Sequence, residues 1–461
     1  MSVAGVHTLS AVELGNAYRR GELDPISVID ALAMRVDRID SKINALVTRN
    51  PQARADAQAS AERFTAGQPI GPLDGIPIAV KDNLVTKGLR TTWGTRGLAE
   101  YVPDRDELPI ARLRAAGAII VGKTNVPEFT LEGYTANPLF GVTRNPWNTQ
   151  LTPGGSSGGS VAGCAAGFFP LALCTDGGGS IRRPAAHAGL VGLKPSIGTI
   201  ARADGLPQLL LDFEVVGPVA RNVDDTVLLF DALRGVDARD RSSLLVASAK
   251  VHARSAKILA VASLAGSPID REIAASFERS IAALSDRGHR VETAALPLSL
   301  DAITEFWPLV GQIGLARLFA ADAALRECAS AKYVDMAEQG ARVSATRLLE
   351  GLEAVAALRR ETDALFERFD FIVTPTTAAL PWLAEEAFPS TIDGKSVGPR
   401  GHAVFTGWVN ACGNPAISVP ASPASAGLPI GIQIIGRFGG DDAVLSLARE
   451  IELPRVRFPF D

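Results

Sequence analysis

Two serine clusters flanked by glycines lie within the stretch from Thr152 to Pro184. The first reads T-P-G-G-S-S-G-G-S and the second C-T-D-G-G-G-S-I-R-R-P, with no charged residue between Arg144 and Asp176. Glycine lets a backbone approach a ligand closely and direct several N–H groups at one point. Such donors stabilise the oxyanion of an acyl transfer. The stretch therefore predicts a buried scaffold that presents a reactive serine.

Apolar runs alternate with segments of helical periodicity along the rest of the chain. Ile76 to Val80 and Ile430 to Gly436 are typical of buried strands, whereas 269–287 and 301–363 are typical of helices. We expect the longer helical region to be interrupted near 311–314, where glycines occur. The alternation predicts an α/β fold with a mostly parallel or mixed sheet.

The length of 461 residues allows two to four domains or one large α/β unit. We expect residues 1–70 to be an N-terminal helical segment packed on the core, and 71–235 to be the core with the catalytic residues. Residues 236–461 are then the remainder of the same α/β domain, after a charged, irregular seam at 236–256. Glycine, proline and mixed charge near 384–408 predict a lid loop.

The composition excludes several classes of protein. Lys and Arg number 46 against 50 Asp and Glu, so the net charge of −4 provides no basic surface for nucleic acid. The four cysteines form no C-x-x-C pair, which predicts reduced thiols in a cytoplasmic protein and no metal site. The N-terminus lacks the features of a signal peptide. The uncharged run 145–175 contains prolines and glycines that lipid would not tolerate, so we predict no membrane span.

Lys81 follows directly on the apolar run that begins at Ile76. A lysine in this position can extend its ammonium group into solvent. Alternatively, it is buried, loses its proton because the charged form is desolvated, and acts as a base. The residues alone leave both interpretations open.

Gly117 to Thr124 matches the phosphate-loop pattern GxxxxGK[ST]. That loop needs its four middle residues in a loop that follows a strand. Here they are Ala-Ile-Ile-Val, which are typical of a buried strand. We therefore interpret the match as coincidence and predict no nucleotide and no other cofactor.

The segment Gly154 to Gly158 fits G-x-S-x-G, the nucleophile elbow of Ser-His-Asp hydrolases. An elbow follows directly on a strand, whereas N-P-W-N-T-Q-L-T-P precedes this one and predicts a loop. His402 is the only late histidine in the chain order that such a triad requires. A serine activated by a lysine is the other arrangement. Ser180 is the better nucleophile for it, because three consecutive glycines precede it.

These motifs resemble those of the amidase signature family, serine hydrolases of amide bonds. The similar segments include G-I-P-I-A-V-K-D-N, G-K-T-N-x-P-E-F, P-G-G-S-S-G-G-S, T-D-G-G-G-S-I-R-x-P, G-L-K-P and G-L-P-I-G-I-Q-I-I-G, so they cover almost the entire chain. The resemblance implies the amidase signature fold, an α/β fold with a large mixed, mostly parallel twisted sheet that helices cover on both faces. It also accounts for the phosphate-loop match, because G-K-T-N recurs in this family without a nucleotide.

The resemblance implies a catalytic triad of Ser180, Ser156 and Lys81. Ser156 lies 24 residues before Ser180, which is the separation in the family. The bridging serine of the family follows a cis peptide bond, here Gly155–Ser156. In the implied mechanism Lys81 is the base, Ser156 relays the proton, and Ser180 attacks the carbonyl carbon.

Further roles follow from the same resemblance. The N–H groups of Gly177, Gly178 and Gly179, with that of the nucleophile, are expected to form the oxyanion hole. Substrate-binding roles fall on Thr130, Gly155 and Arg183. Thr175 and Asp176 are expected to orient the loop, and Arg182, the motif arginine, is expected to be structural. For Arg183 two interpretations stand: it binds a substrate carboxylate, or it pairs with a local acid, which we favour slightly.

The substrate prediction depends on aromatic residues in the weakly patterned segments. They indicate an apolar cleft for aryl or alkyl amides, anilides or carbamates, and comprise Trp307, Phe319, Trp382, Phe405 and Trp408. T-D-G-G-G-S is similar to stand-alone amidases and aryl acylamidases, so we predict a free-standing amidase of a small molecule, with a homodimer allowed. The alternative is the glutaminase subunit of a tRNA-dependent amidotransferase, which needs partner subunits.

Overall fold

The chain is built around one sheet of eleven strands. It is seen in a computed structural model that describes residues 3–245, 255–264, 266–453 and 458–460. The expected seam at 236–256 lies partly outside the described residues. The strands are β1 (Leu46–Arg49), β2 (Pro77–Lys81), β3 (Ile119–Thr124), β4 (Ala136–Asn137), β5 (Gly141–Val142), β6 (Leu171–Asp176), β7 (Val191–Lys194), β8 (Val215–Ala220), β9 (Lys257–Ala260), β10 (Arg290–Thr293), β11 (Phe371–Pro375), β12 (Thr391–Ile392), β13 (Lys395–Ser396), β14 (Ala416–Pro420) and β15 (Gly431–Gly436).

The order of strands in the large sheet is β1-β3-β2-β6-β8-β7-β14-β15-β11-β9-β10. The predicted mixed α/β sheet is confirmed, but the expectation that it is mostly parallel is wrong. Four neighbouring pairs are parallel, and the other six are antiparallel. The connections explain this. A helix joins β2 to β3, as a parallel crossover requires, whereas β14 returns to β15 through residues 421–430 without a helix.

Helices lie between most of these strands. The α-helices are α1 (Ala11–Arg19), α2 (Pro25–Ile43), α3 (Ala53–Thr65), α4 (Leu108–Ala115), α5 (Gly158–Ala165), α6 (Arg182–Ala188), α7 (Val223–Leu233), α8 (Arg271–Asp286), α9 (Asp301–Ala321), α10 (Ala323–Cys328), α11 (Ala331–Ala341), α12 (Ala345–Leu365), α13 (Gly407–Cys412) and α14 (Asp441–Ile451). Short 3-10 helices cover Val3–Thr8, Arg96–Leu98, Glu128–Thr130, Arg241–Leu245 and Gly401–Ala403. None of the helices in the described ranges is long and apolar enough to span a bilayer.

The glycines of α9 do not interrupt it, contrary to the sequence-based expectation. The helix continues through Gly311 and Gly314 and ends before Asp322, whose carboxylate accepts from Leu325 N and caps α10. A β-carbon at Gly314 would lie 2.2 Å from the carbonyl oxygen of Leu209. This glycine therefore serves close helix packing rather than a break.

Both faces of the sheet are packed, as predicted. Successive side chains of a strand point to opposite faces, and in β2 Val80 joins one buried cluster while Ala79 joins another. The first cluster extends from Leu14 in α1 to Val444 in α14. Residues far apart in the chain thus share a single core, and the ends of the central strands are held rigidly.

The phosphate-loop match lies in β3, which confirms the predicted strand. Its lysine, Lys123, is fully buried, and its Nζ donates to Leu84 O at 2.6 Å and to Thr91 Oγ1 at 2.8 Å. The Asp82 carboxylate lies 3.5 Å away. These contacts therefore hold the side chain of Lys123 in the protein interior.

Candidate active site

Lys81 is the last residue of β2, and its side chain is 0% exposed. Since β2 and β6 are parallel neighbours, their carboxyl ends meet at the same edge of the sheet. There Lys81 Nζ contacts Ser156 Oγ at 2.9 Å, Thr175 Oγ1 at 2.9 Å and Thr175 O at 3.0 Å. The structure excludes the solvent-exposed interpretation of this lysine.

Burial lowers the pKa of Lys81 to about 8, although Glu214 and other acids at longer range oppose the effect. Among the described residues no carboxylate lies within 4 Å of Nζ. Desolvation penalises the ammonium form, and a close anion that would restore it is lacking. A substantial fraction of Lys81 is therefore neutral near pH 8.

Ser156 lies just before α5, buried between Lys81 and the second serine cluster. The Gly155–Ser156 peptide bond is cis, which confirms the prediction from the family resemblance. The N–H of Ser157 donates to the Ser180 carbonyl oxygen at 3.3 Å. This backbone contact holds the two clusters side by side.

Ser180 follows β6 through the glycine loop and is 7% exposed. It borders a cavity of about 250 Å³. Gly177 and Gly178 border the same cavity, as expected of oxyanion donors. Gly179 differs from the prediction, because its N–H donates to Asp176 Oδ1 at 2.6 Å. The carboxylate occupies this donor, which leaves Gly177, Gly178 and Ser180 as the candidate oxyanion donors.

Asp176 organises the loop through its carboxylate. Its oxygens accept from Gly179 N, from Ile181 N at 3.0 Å, and from the Arg182 side chain through two bonds of 3.0 Å. Burial would raise the pKa of this carboxyl, but Arg182 and the hydrogen bonds outweigh burial and hold the pKa far below its usual range. Asp176 is therefore a permanent anion that fixes the turn before the nucleophile.

Three distant residues that the sequence reasoning missed complete this arrangement. Asn410 Nδ2 donates to Asp176 O at 2.8 Å, and Thr406 Oγ1 donates to Gly178 O at 2.8 Å. Gln433 Oε1 accepts from Arg182 Nη1 at 2.6 Å. A glutamine in the apolar strand I-G-I-Q-I-I-G was a usable signal, because a buried amide requires polar partners.

Replacing Arg182 with methionine is expected to lower the free energy of unfolding by about 3–5 kcal/mol, because Asp176 is left as an uncompensated buried charge. Denaturant unfolding followed by circular dichroism measures this loss. Arg183→Met is the matched control, since Arg183 neighbours it in α6 but makes no ion pair with Asp176. An equal loss in both variants would contradict a specific role for the Arg182–Asp176 pair.

Thr130 borders the cavity, as predicted. Phe129 and Thr130 both have left-handed backbone conformations, with φ of 55° and 58°. Such residues are strained unless their surroundings enforce the conformation. The Phe129 ring is fully buried, with edge-on contacts to Trp93 and Tyr333. The aromatic packing therefore holds the turn that presents Thr130 to the cavity.

The predicted aromatic cleft is only partly correct. Trp307 borders the Ser180 cavity, and Trp408 borders an adjoining cavity of about 550 Å³. Phe319, Trp382 and Phe405 are instead buried in the protein interior. The sequence pattern does not distinguish an aromatic residue at a cavity wall from one in the core.

His402 does not form the alternative Ser-His-Asp triad. Its ring packs on Trp382 with centroids 4.7 Å apart, and neither ring nitrogen has a hydrogen-bond partner among the described residues. Burial, followed by the effect of Arg183, holds its pKa well below the usual value. Lysine, not histidine, contacts Ser156.

Arg183 borders the cavity but has no acid partner, so the favoured pairing with a local acid is wrong for the described residues. Its Nε donates to Gly179 O at 3.3 Å, and its Nη2 donates to Gly155 O at 3.5 Å. Burial, followed by the charge of Arg400, lowers its pKa to about 9. Gly155 itself is buried against the backbone of Tyr134, whereas Thr130 and Arg183, the other two predicted substrate-binding residues, border the cavity.

The fold is that of the amidase signature enzymes. The solved structure of a bacterial aryl acylamidase of that family superposes with a TM-score of 0.88 at 27% identity, covering 97% of this chain and 96% of that one. A 6-aminohexanoate cyclic dimer hydrolase in complex with its substrate gives 0.88 at 27%, covering 98% of both chains. A glutamyl-tRNA(Gln) amidotransferase subunit from Moorella thermoacetica is 33% identical over 478 aligned residues, covering 97% of this chain and 96% of that protein.

The family model described as Amidase matches residues 27–445. The chain therefore belongs to the amidase signature family and is an amidase-type hydrolase. This confirms the resemblance drawn from the serine motifs. The match includes the regions of β2, β6 and β15, whose residues converge on the site.

Proposed function

We propose that this protein hydrolyses the carbon–nitrogen bond of a small amide through Lys81, Ser156 and Ser180. The observation that carries the proposal is the 2.9 Å contact between Lys81 Nζ and Ser156 Oγ in a fully buried site. A lysine in this environment is available as a neutral base. Ser156 lies beside this lysine and next to the loop that carries Ser180, so it is suited to pass a proton from Ser180 to Lys81.

The contacts of Lys81 are compatible with one direction of proton transfer. A neutral amine has two N–H donors and one lone pair. If Lys81 donates to the two oxygens of Thr175, its lone pair faces the Ser156 hydroxyl. Ser156 then donates its proton to Lys81 and accepts the proton of Ser180, whose oxygen bonds to the substrate carbonyl carbon.

Breakdown of the tetrahedral intermediate uses the same groups in reverse. An amide nitrogen leaves poorly as an anion, so Ser156 protonates it as the carbon–nitrogen bond breaks. Water then attacks the acyl-enzyme and gives a proton to the relay, and Ser180 regains its hydrogen. The N–H groups of Gly177, Gly178 and Ser180 stabilise the oxyanion at both stages, and each such donor typically contributes about 2.7–4 kcal/mol.

The cavity supports a substrate with an apolar part, such as an aryl or alkyl amide, an anilide or a carbamate. Trp307 lies against the oxyanion loop, since a β-carbon at Gly178 would lie 2.8 Å from its ring. Leu131 and Leu210 border the same cavity. This surface suits a planar or alkyl group next to the scissile bond. The apolar surface of the cavity supports a free-standing amidase, and the similar fold of a bacterial aryl acylamidase agrees with that proposal.

A panel of anilides, primary amides and carbamates tests the proposal. We expect the purified protein alone to release amine from at least one class at 10-fold or more the rate of the Ser180→Ala variant. Liquid chromatography with mass spectrometry measures the released amine without requiring a coloured product. If no member of the panel is hydrolysed, the free-standing amidase is rejected.

A second candidate is the amide-hydrolysing component of an amidotransferase. It is favoured by the 33% identity to the glutamyl-tRNA(Gln) amidotransferase subunit from Moorella thermoacetica, which extends over almost the full length of both proteins. The same three residues would release ammonia from glutamine, but partner subunits would be needed. Glutamine hydrolysis that appears only with co-purifying subunits would support this candidate over the first.

A further inference from the structure

Asn83 is a buried polar residue beside Lys81 that the proposed reaction does not use. It lies two residues after this lysine and is 3% exposed. Its Nδ2 donates to Thr175 Oγ1 at 3.0 Å, and the same hydroxyl oxygen lies 2.9 Å from Lys81 Nζ. Its Oδ1 has no hydrogen-bond partner among the described residues. Because a buried amide oxygen without a partner is unfavourable, the contact with Thr175 is what this side chain contributes.

The turn after β2 fixes the position of Asn83. Leu84 N donates to Lys81 O at 3.0 Å and closes the turn. The carboxylate of Asp82 accepts from Thr92 N at 3.1 Å. Both neighbours of Asn83 are thus hydrogen-bonded, and its amide reaches from the end of β2 to Thr175 in β6. This bond therefore ties the strand of the base to the strand that leads into the nucleophile loop.

Two donors converge on the hydroxyl oxygen of Thr175. Such an oxygen has two lone pairs, and the amide of Asn83 occupies one of them. The hydrogens of the amide carry partial positive charge, so they oppose an ammonium group at the second lone pair more strongly than a neutral amine. The neutral amine of Lys81 fits this arrangement. Its two N–H groups bond to Thr175 Oγ1 and Thr175 O, which leaves its lone pair for Ser156 Oγ.

The ionisable groups around Lys81 are paired with one another or neutral. They comprise Glu214 with Arg202 at 2.8 Å, Asp176 with Arg182 at 3.0 Å, Asp82 with Lys123 at 3.5 Å, and the Cys174 thiol, whose pKa burial raises. Burial is the largest effect on the pKa of Lys81, but burial cannot orient an amine. The direction of the lone pair therefore depends on the groups that contact Nζ in the described chain, which are Ser156 and Thr175.

We propose that Asn83 is a positioning residue, which holds the Thr175 hydroxyl on Lys81 Nζ and so directs the lone pair of the amine at Ser156. The inference rests on the proposed proton relay and adds a side chain to it that touches neither the substrate nor the reacting atoms. Without the amide, the Thr175 side chain is free to rotate about its Cα–Cβ bond, and Lys81 loses a fixed partner.

The pH dependence of covalent labelling tests this without knowledge of the substrate. A fluorophosphonate in excess reacts with Ser180 as the serine oxygen displaces fluoride, and the first-order rate constant does not depend on how much of the sample is folded. Mass spectrometry measures the labelled fraction. In the wild-type protein we expect the rate constant to decrease as the pH falls through about 8, because Lys81 is then protonated.

Asn83→Asp keeps the shape of the side chain but replaces the donor with a carboxylate. An anion at this position favours the ammonium form of Lys81, so the midpoint of the decrease should move up by about one pH unit or more, and labelling at pH 7 should be about 10-fold slower. Asn50→Asp is the matched control. Asn50 follows β1 at the edge of the sheet, where its Nδ2 donates to Ile120 O at 2.7 Å, and its midpoint should stay near that of the wild type.

The two proposals fail in different ways. A wild-type decrease whose midpoint Asn83→Asp does not move overturns the positioning role and keeps the relay. A wild-type rate constant without this decrease contradicts the proposed relay, and the role of Asn83 with it.

A double-mutant cycle tests whether Asn83 acts through Thr175. Asn83→Ala is expected to lower the labelling rate constant at pH 8 about 10-fold, a part of what a general base contributes, because the amine is no longer oriented. In the Thr175→Val background, which lacks the hydroxyl, Asn83→Ala should change the rate constant less than about 2-fold. Equal effects of Asn83→Ala in the two backgrounds, which a purely structural role would give, overturn the inference.

Discussion

Ser180→Ala is expected to lower kcat by about 10⁵- to 10⁶-fold, because removing a catalytic serine abolishes the acyl-enzyme route. The oxygen that bonds to the substrate carbon is lost, while Lys81 and Ser156 keep their contact. Pre-steady-state and steady-state release of amine from a substrate of the wild-type protein measure the effect. Covalent labelling by a fluorophosphonate, in which the serine oxygen displaces fluoride, should disappear with it.

Ser157→Ala is the matched control for that experiment. Ser157 lies next to Ser156, but its Oγ contacts Thr175 O at 3.4 Å rather than Lys81, so labelling should persist. Ser156→Ala should slow labelling without moving it to another residue, because it interrupts the relay and leaves the nucleophile. Mass spectrometry that finds the label on a different serine would contradict the assignment of Ser180.

The family motifs identify Lys81, Ser156 and Ser180 as candidates because each lies in a short segment whose neighbours carry the same information. Lys81 follows a buried strand, and Ser156 and Ser180 are surrounded by glycines. The structure brings Lys81 Nζ into contact with Ser156 Oγ and joins the Ser157 N–H to the Ser180 carbonyl oxygen, with the expected cis bond. A local pattern suffices where the chemistry imposes local backbone requirements.

The support of the loop could not be predicted in the same way, since it depends on contacts across the fold. Asn410 is 234 positions from Asp176, and Gln433 is 251 positions from Arg182. Asn410 has no distinctive neighbour pattern, and the glutamine in the strand I-G-I-Q-I-I-G indicates a buried polar contact without identifying its partner. Their roles follow from the three-dimensional packing of α13 and β15 on the nucleophile loop.

The local sequence pattern also could not predict whether neighbouring strands are parallel or antiparallel. The strands β8, β7 and β14 are antiparallel to their neighbours yet buried on both faces, so they have the continuous apolar runs that are typical of parallel strands. The same limit applies to Gly314. Glycine is typical of a helix break, but here it lies inside α9 because close packing leaves no room for a side chain. Each error arose where tertiary contacts outweighed a local preference.

Lys81→Met is expected to lower kcat/KM by about 10³- to 10⁴-fold, at the upper end of what a general base contributes. In the wild-type protein only the neutral amine accepts the Ser156 proton, and the pKa of Lys81 is lowered to about 8. The protonated fraction grows as the pH falls, so kcat/KM should drop tenfold per pH unit well below pH 8 and level off above it. This decrease in kcat/KM on the acidic side of the profile, the limb near pH 8, should be absent from the residual activity of Lys81→Met.

Other buried lysines provide the control for the origin of that limb. The pKa of Lys123 is lowered to about 8 and that of Lys194 to about 7, in each case chiefly by burial. Both are as buried as Lys81, but their Nζ atoms contact carbonyl oxygens or polar groups away from the serines. Lys123→Met and Lys194→Met should therefore keep the limb near pH 8, even if the folded fraction falls. If either variant abolishes the limb while Lys81→Met retains it, Lys81 is not the base, and the proton relay from Ser180 must end at a different group.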